Sequence, residues 1–239
     1  MKKVIAVLVV VAVCMTASYR SFAQKYFAGT VTFEIKYEGD IDPQKHVPSE
    51  ITYTIFENKM KRTDSGSGLS RVIIQDGDAV TITYLFDVLG YGRIGRLASK
   101  EEILKDRDKV KRSYVERTDS KTICGIECKG YDVTVVFIDE EEEEEDYEKI
   151  NFIVYTTKEI GKDDNINIFE NPGLSGYPLY QEIEKKGVKT IVQAKEVKKG
   201  KVKAVDFLVP SDYRISKTDE EWEAEIEKLN QWGEENKNK

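Results

Sequence analysis

The sequence predicts a mainly β protein, a strongly curved antiparallel sheet or half-barrel of about ten strands with one or two helices on its concave side. Three observations support this fold class. Apolar residues recur at every second position in run after run, those runs are separated by short turn signals, and only two segments carry a helical period.

The chain opens with MKK, continues through an apolar stretch of 14 residues, Val4–Ala17, and reaches Ser21-Phe22-Ala23, a small-x-small cleavage pattern. Residues 1–23 therefore read as a signal peptide cleaved near Ala23, and residues 24–239 as a single β domain that is periplasmic or secreted. The apolar stretch is shorter than the roughly 18 residues that span a bilayer. A lipid anchor at Cys14 is disfavoured, because the β-branched Val13 stands where a small residue is required. Removing Lys2, Lys3 and Arg20 with no acids takes the formal charge from -7 to -10. So acidic a chain repels phosphate backbones and anionic surfaces, which excludes nucleic acid as a partner.

The strands follow in order. In TVTFEIKY, Val31, Phe33, Ile35 and Tyr37 point one way and Thr30, Thr32, Glu34 and Lys36 the other. ITYTIF repeats the pattern, and RVIIQDGDAVTITYLF places Asp76-Gly77 between two β-branched runs as a tight hairpin. SYVERT, CKGYDVTVVFI, INFIVYTT, YPLYQEI, VKTIVQAKEV and KVKAVDFLV continue the series, the last three joined by KKG turns ending at Gly187 and Gly200. Short connections make the sheet antiparallel.

Two segments read as helices. The C-terminal one, residues 218–232, carries Trp222, Ile226 and Leu229 at helical spacing, a Thr218–Glu221 capping box, and Gly233 as its stop. Its apolar stripe requires docking, either as a lid over the concave face or as part of the core. The other helix begins after Ser99 in SKEEILKDRDKV, with a thinner apolar face.

The two cysteines of the mature chain stand in TICGIECKGYDV. Zinc needs three or four ligands, and only His46, far away, joins them, so no metal site is expected. Redox pairs use C-x-x-C at a helix start, not C-x-x-x-C among strands. A three-residue loop Gly125–Glu127 would bring Cys124 and Cys128 face to face as a disulfide, worth about 2 kcal/mol for so short a loop.

The segments KTICGIECKGYDV, INFIVYTTKEI, NPGLSGYPLYQEI and DFLVPSDY together resemble an uncharacterised family of secreted Gram-negative proteins. That family has a Gly-aromatic-x-Cys turn, an extended Tyr-Thr strand and a G-x-P-L segment in this order. Here Ile126 replaces the aromatic and Cys124 an aliphatic residue. The family is similar in fold to the periplasmic lipoprotein carriers of the LolA and LolB kind. The resemblance implies a curved sheet closed by helices, a lipid or lipoprotein as partner, and no catalytic residues.

Other motifs give little chemistry. Asp163, Asn165 and Asn167 begin like a calcium loop, but Ile168 takes the place of its glycine and Leu174 that of its glutamate, leaving a polar turn. His46 lies in a proline-flanked loop with no nucleophile elbow anywhere in the chain, so no hydrolase triad assembles. The glycines of LGYGRIGRL, Gly90, Gly92 and Gly95, lack a βαβ context and read as a flexible loop with Tyr91 exposed. The run Glu140, Glu141, Glu142, Glu143, Glu144 and Glu145, flanked by Asp139 and Asp146, is a solvated hairpin tip that can dock an envelope protein. The leading expectation is a non-catalytic envelope protein, without cofactor, holding an acyl chain, lipid or lipoprotein in the curved sheet. Phe33, Tyr53, Tyr84, Phe86 and Tyr155, with Trp222 and Ile226 of the helix, are candidates for a groove or a core. The alternative is a protein-interaction module using the acidic loop 139–146 or a sheet edge.

Overall fold

The computed structural model describes residues 26–39, 49–66, 69–138, 147–185 and 187–236. Residues 1–23, expected to be a signal peptide, with Cys14, and also His46 and the acidic run 139–146, lie outside the described residues. The strands are β1 Ala28–Glu38, β2 Glu50–Phe56, β3 Lys59–Gly66, β4 Leu69–Asp76, β5 Thr81–Val88, β6 Gly92–Ala98, β7 Val110–Ile123, β8 Ile126–Phe137, β9 Lys149–Thr157, β10 Tyr177–Lys185, β11 Val188–Lys199 and β12 Arg214–Ser216. The helices are α1 Lys100–Asp108 and α2 Asp219–Asn236, and single 3-10 turns form at Asp164–Asn167 and Ala204–Phe207.

All twelve strands belong to one open sheet, ordered β12-β6-β5-β4-β3-β2-β1-β11-β10-β9-β8-β7. Every ladder is antiparallel except that of β12 with β6, which is parallel. The connection from β6 to β7 forces the sheet to curl. In a flat sheet those strands would stand roughly 48 Å apart at about 4.8 Å per strand. They are joined through α1, whose nine residues span about 14 Å. The sheet therefore bends until its β7 edge approaches β5 and β6, the half-barrel the strand patterns predict.

The inner face carries Phe33, Tyr53, Met60, Ile73, Tyr84 and Phe86 on one half, and Val154, Val133 and Tyr114 on the other, in matched register. On the outer face Ile74 and Leu85 are covered by Phe207, with Val202, Tyr213 and Ile215 around it. KVKAVDFLV thus forms no strand, contrary to expectation. β11 is already flanked by β1 and β10, so the following segment has no free edge to pair with and crosses the outer face instead.

Several turns also differ from the sequence reading. The β4–β5 turn spans the four residues 77–80, closed by the Asp76 carboxylate accepting from the backbone N–H groups of Asp78 and Ala79, each at 3.1 Å. LGYGRIGRL is no flexible loop: it turns at residues 89–91 and becomes β6. Tyr91 is half-buried and donates its hydroxyl to Glu225 at 2.8 Å.

The cysteine hairpin is shorter than expected. Ile123 pairs with Ile126, so Cys124-Gly125 is a two-residue turn with positive φ at both positions, 52° and 78°. That places Cys128 opposite Lys121, on the ladder rather than across the turn from Cys124. Both thiols are free, which corrects the expected disulfide. The Cys124 thiol donates to the Ala194 carbonyl at 3.3 Å, and burial pushes the Cys128 thiol up to about 11.

α1 starts with a capping box in which the Ser99 hydroxyl accepts from Glu102 N–H at 3.3 Å and Glu102 accepts from Ser99 N–H at 2.6 Å. In α2 the Thr218 hydroxyl accepts from Glu221 N–H at 3.2 Å, but the Glu221 carboxylate accepts from Lys217 N–H, one residue earlier than predicted. Gly233 does not stop the helix. It lacks the left-handed φ of a C-terminal glycine, and α2 runs on to Asn236.

Candidate functional site

The inner face is not left open along its whole length. The connection between β9 and β10, residues 158–176, folds into the concavity as a plug, burying Ile160, Ile166 and Leu174 to 2% exposure or less. Ile160 and Ile166 join Phe33 and Met60, while Leu174 packs on Val133, Val135 and Val154. Glycines permit the path: Gly161 and Gly173 both have φ of 90°, and a Cβ on Gly176 would stand 2.7 Å from the Thr157 carbonyl oxygen.

Polar side chains hold the plug from both ends. Asn58, 1% exposed in the β2–β3 turn, accepts from the N–H groups of Lys162 and Asp163 and donates to the Asp78 and Asp163 carboxylates. Asp163 also caps the 3-10 turn by accepting from Asn165 N–H at 2.9 Å, so DDNINI is the polar turn its sequence suggests. Buried Asn167 donates to the carbonyls of Leu174 and Gly176. Tyr114 of β7 donates to the Pro172 carbonyl at 3.1 Å.

Among the described residues, the space around the plug includes a larger cleft and two small cavities, one of about 100 Å³ between Arg62, Ile73 and Gln75 and, sharing Tyr53, Met60 and Glu170 with it, one on the Phe33 side. The latter, lined by Phe33, Tyr53, Met60, Ile166, Glu170 and Tyr177, has a volume of about 70 Å³, room for two or so waters. Its rings pack on one another, Phe33 against Tyr53 edge-on at 5.9 Å and against Tyr177 at 6.4 Å. Loss of hydration drives the hydroxyl of buried Tyr177 well above its ordinary pKa. The cleft lies along the seam where the curled sheet fails to close. Ile82 and Tyr84 of β5, Ala98 of β6, Ile103 of α1, Val110 of β7, and Ile168 and Phe169 of the plug, together with the charged Glu102, Arg107 and Arg112, line about 250 Å³. It widens into a mouth of about 460 Å³ lined by Arg107, Val110, Arg112, Pro172 and Gly173.

The candidate groove residues therefore separate. Phe33 and Tyr53 face the smaller cavity, and Tyr84 faces the seam cleft. Phe86 stacks on Trp222 at 5.8 Å, and Trp222 and Ile226 lie on α2, none of whose residues lines the cleft. Tyr155 alternates with Val154 and turns to the opposite face of β9, edge-on to Tyr180 at 5.6 Å, with its hydroxyl donated to Asp119 at 2.7 Å. α2 is pinned to the β5–β6 turn and to β12 by Glu225, which accepts from Tyr91 at 2.8 Å and from Arg214 at 2.7 Å. Sequence reasoning passed over Ile103, Ile168, Phe169, Arg107 and Arg112. One signal was available: Arg112 occupies the position between Val110 and Tyr114 in an alternating apolar series, where a charge is out of pattern.

No family model and no curated protein matches the sequence. Among solved structures, PNGF-II in a P21 crystal form is similar to this chain at 15% identity and a TM-score of 0.49, over 84% of this chain and 34% of that one. The chain thus spans about a third of that protein's length. The lipoprotein LppX of Mycobacterium tuberculosis is similar at 11% identity and a TM-score of 0.27, over 71% of this chain and 86% of that one. A LolA superfamily protein from Nitrosomonas europaea is similar at 10% identity and a TM-score of 0.25, over 79% of this chain and 92% of that one.

Proposed function

We propose that this protein is a non-catalytic envelope protein that holds an apolar chain, acyl or lipid, in the seam cleft of its curled sheet. The observation that carries the reading is the cleft itself. Seven side chains from β5, β6, α1, β7 and the plug face it, and Ile82, Tyr84, Ala98, Ile103, Val110, Ile168 and Phe169 together form an apolar wall left unfilled by the core. Pockets that bind small apolar ligands have this character, concave and mostly hydrophobic with a few polar groups at one end. The N-terminal sequence supports an extracytoplasmic location, and the motif resemblance to lipoprotein carriers supports a lipid or lipoprotein as the source of the chain.

Titration with the uncharged dye N-phenyl-1-naphthylamine, followed by displacement with hexadecanol, tests the reading. Saturable dye binding that hexadecanol reverses, and that Ala98→Phe largely removes by filling the cleft, is the expected result. Saturable binding that survives Ala98→Phe would place the ligand elsewhere, and absence of saturable binding in the unaltered protein would refute the function. The reading through a sheet edge gains less support, because the long edge strand β7 carries a bulge between Glu116 and Ser120 and is studded with charges, both of which blunt edge pairing.

A further inference from the structure

The apolar cleft and its mouth share Arg107, Val110 and Arg112. Arg112 is the anomaly of that wall. Its Nε and Nη1 atoms are buried and have no hydrogen-bond partner among the described residues. A guanidinium stays charged at any physiological pH and its N–H groups are donors only, so burying them without an acceptor is unfavourable. Burial lowers the Arg112 pKa, with Tyr114 acting in the opposite sense and the positive charge of Arg107 in the same one. Two nearby polar groups among the described residues are engaged elsewhere. Tyr114 donates its hydroxyl to the Pro172 carbonyl, and Glu102, the acid that lines the cleft, is held by Arg96 and by Ser99 N–H. The site thus joins an apolar wall to a cationic mouth in which one guanidinium lacks the acceptor its geometry calls for.

We infer that the seam cleft takes an anionic amphiphile, with its acyl chain along Ile82, Tyr84, Ile103 and Phe169 and its oxyanion head on Arg112, Arg107 standing beside it. The inference rests on the reading of the cleft as an apolar-chain site and adds the charge of the ligand to it. The planar fork of Arg112 matches a carboxylate or phosphate edge, and the head supplies the acceptors that Nε and Nη1 lack.

Fluorescence titration with cis-parinaric acid and with its methyl ester separates chain from charge, and inorganic phosphate serves as the competitor without a chain. The acid is expected to bind on the order of tenfold more tightly than the ester. Arg112→Met should erase that ratio by weakening the acid, and an unaltered far-ultraviolet circular dichroism spectrum shows that the variant is folded. Its thermal midpoint should not fall, because the substitution removes an unpaired buried charge. Equal affinity for acid and ester in the unaltered protein would overturn the inference and leave the apolar-chain reading standing. Binding of neither probe would remove both. Displacement of the acid by phosphate alone, with no dependence on the chain, would make the arginines a free-anion site and overturn the inference as well. Should Arg112→Met fail to fold, Arg107→Gln must lower the acid-to-ester ratio, and an unchanged ratio would overturn it.

Discussion

Replacing Asn58 by alanine should cost about 3 kcal/mol and loosen the plug over the concave face. Asn58 is 1% exposed and uses its full hydrogen-bonding capacity. Oδ1 accepts from Lys162 N–H at 3.0 Å and Asp163 N–H at 3.3 Å, and Nδ2 donates to Asp163 Oδ1 at 2.8 Å and Asp78 Oδ1 at 2.9 Å. The two bonds to backbone N–H groups, accepted by an amide that is itself 1% exposed, are each worth about 1 kcal/mol. The two to carboxylates are discounted to about 0.5 kcal/mol each, because Asp78 and Asp163 are exposed and water can replace the amide. Urea denaturation gives the change in stability, and binding of 8-anilinonaphthalene-1-sulfonate reports whether apolar surface under the plug opens. A loss below about 1 kcal/mol with no added dye binding would refute the view that Asn58 anchors residues 158–176. Asn58→Asp keeps the shape but removes both donors and adds a third carboxylate. It should be at least as damaging at neutral pH and partly recover on acidification.

Three further outcomes follow from the geometry. Gly125→Ala meets no atom within 4 Å, so its penalty is that of a left-handed backbone alone, about 1 kcal/mol by thermal or urea unfolding; dithiothreitol should leave the midpoint unchanged, and a fall would reveal a disulfide. Trp222→Ala should cost about 2 kcal/mol, less than a core tryptophan, because the ring is only half-buried against Phe86; a change within about 0.5 kcal/mol would mean α2 is barely docked. Glu225 has its carboxyl lowered by the hydrogen bond from Arg214, against desolvation and with help from Tyr91. A depressed folded pKa means that this stabilisation is complete above the ordinary carboxylate range and lost as pH falls through the folded value. Both tryptophans, Trp222 and Trp232, lie on α2, so their fluorescence should report its loosening on acidification, and Glu225→Gln should flatten that transition.

Much of the fold was legible because strand burial writes itself into sequence at period two. TVTFEIKY forms β1 with Val31, Phe33 and Ile35 buried on one face, and both helices begin beside the residues that cap them. What was not legible depends on where other strands already lie. KVKAVDFLV has the composition of a strand, but β11 has neighbours on both sides, and the segment serves the outer face through Phe207 instead. The cysteine turn was misread by one residue, since Cys124 adopts the positive φ usually left to glycine or asparagine. The seam cleft was the least visible feature. It exists because α1 pulls the β7 edge round towards β5, which joins Ile82 to Val110 and Phe169 across long stretches of chain. Only the out-of-pattern Arg112 pointed to it.

Native mass spectrometry of the protein recovered from a lipid-containing host tests the central claim most directly. The account predicts one adduct per chain with the mass of an acyl-chain ligand, weakened by Ala98→Phe, which fills the seam cleft, and retained in Phe33→Leu, whose side chain lines the small inner cavity and not the cleft. An apo mass alone, with no adduct formed when fatty acid is added back, would contradict it.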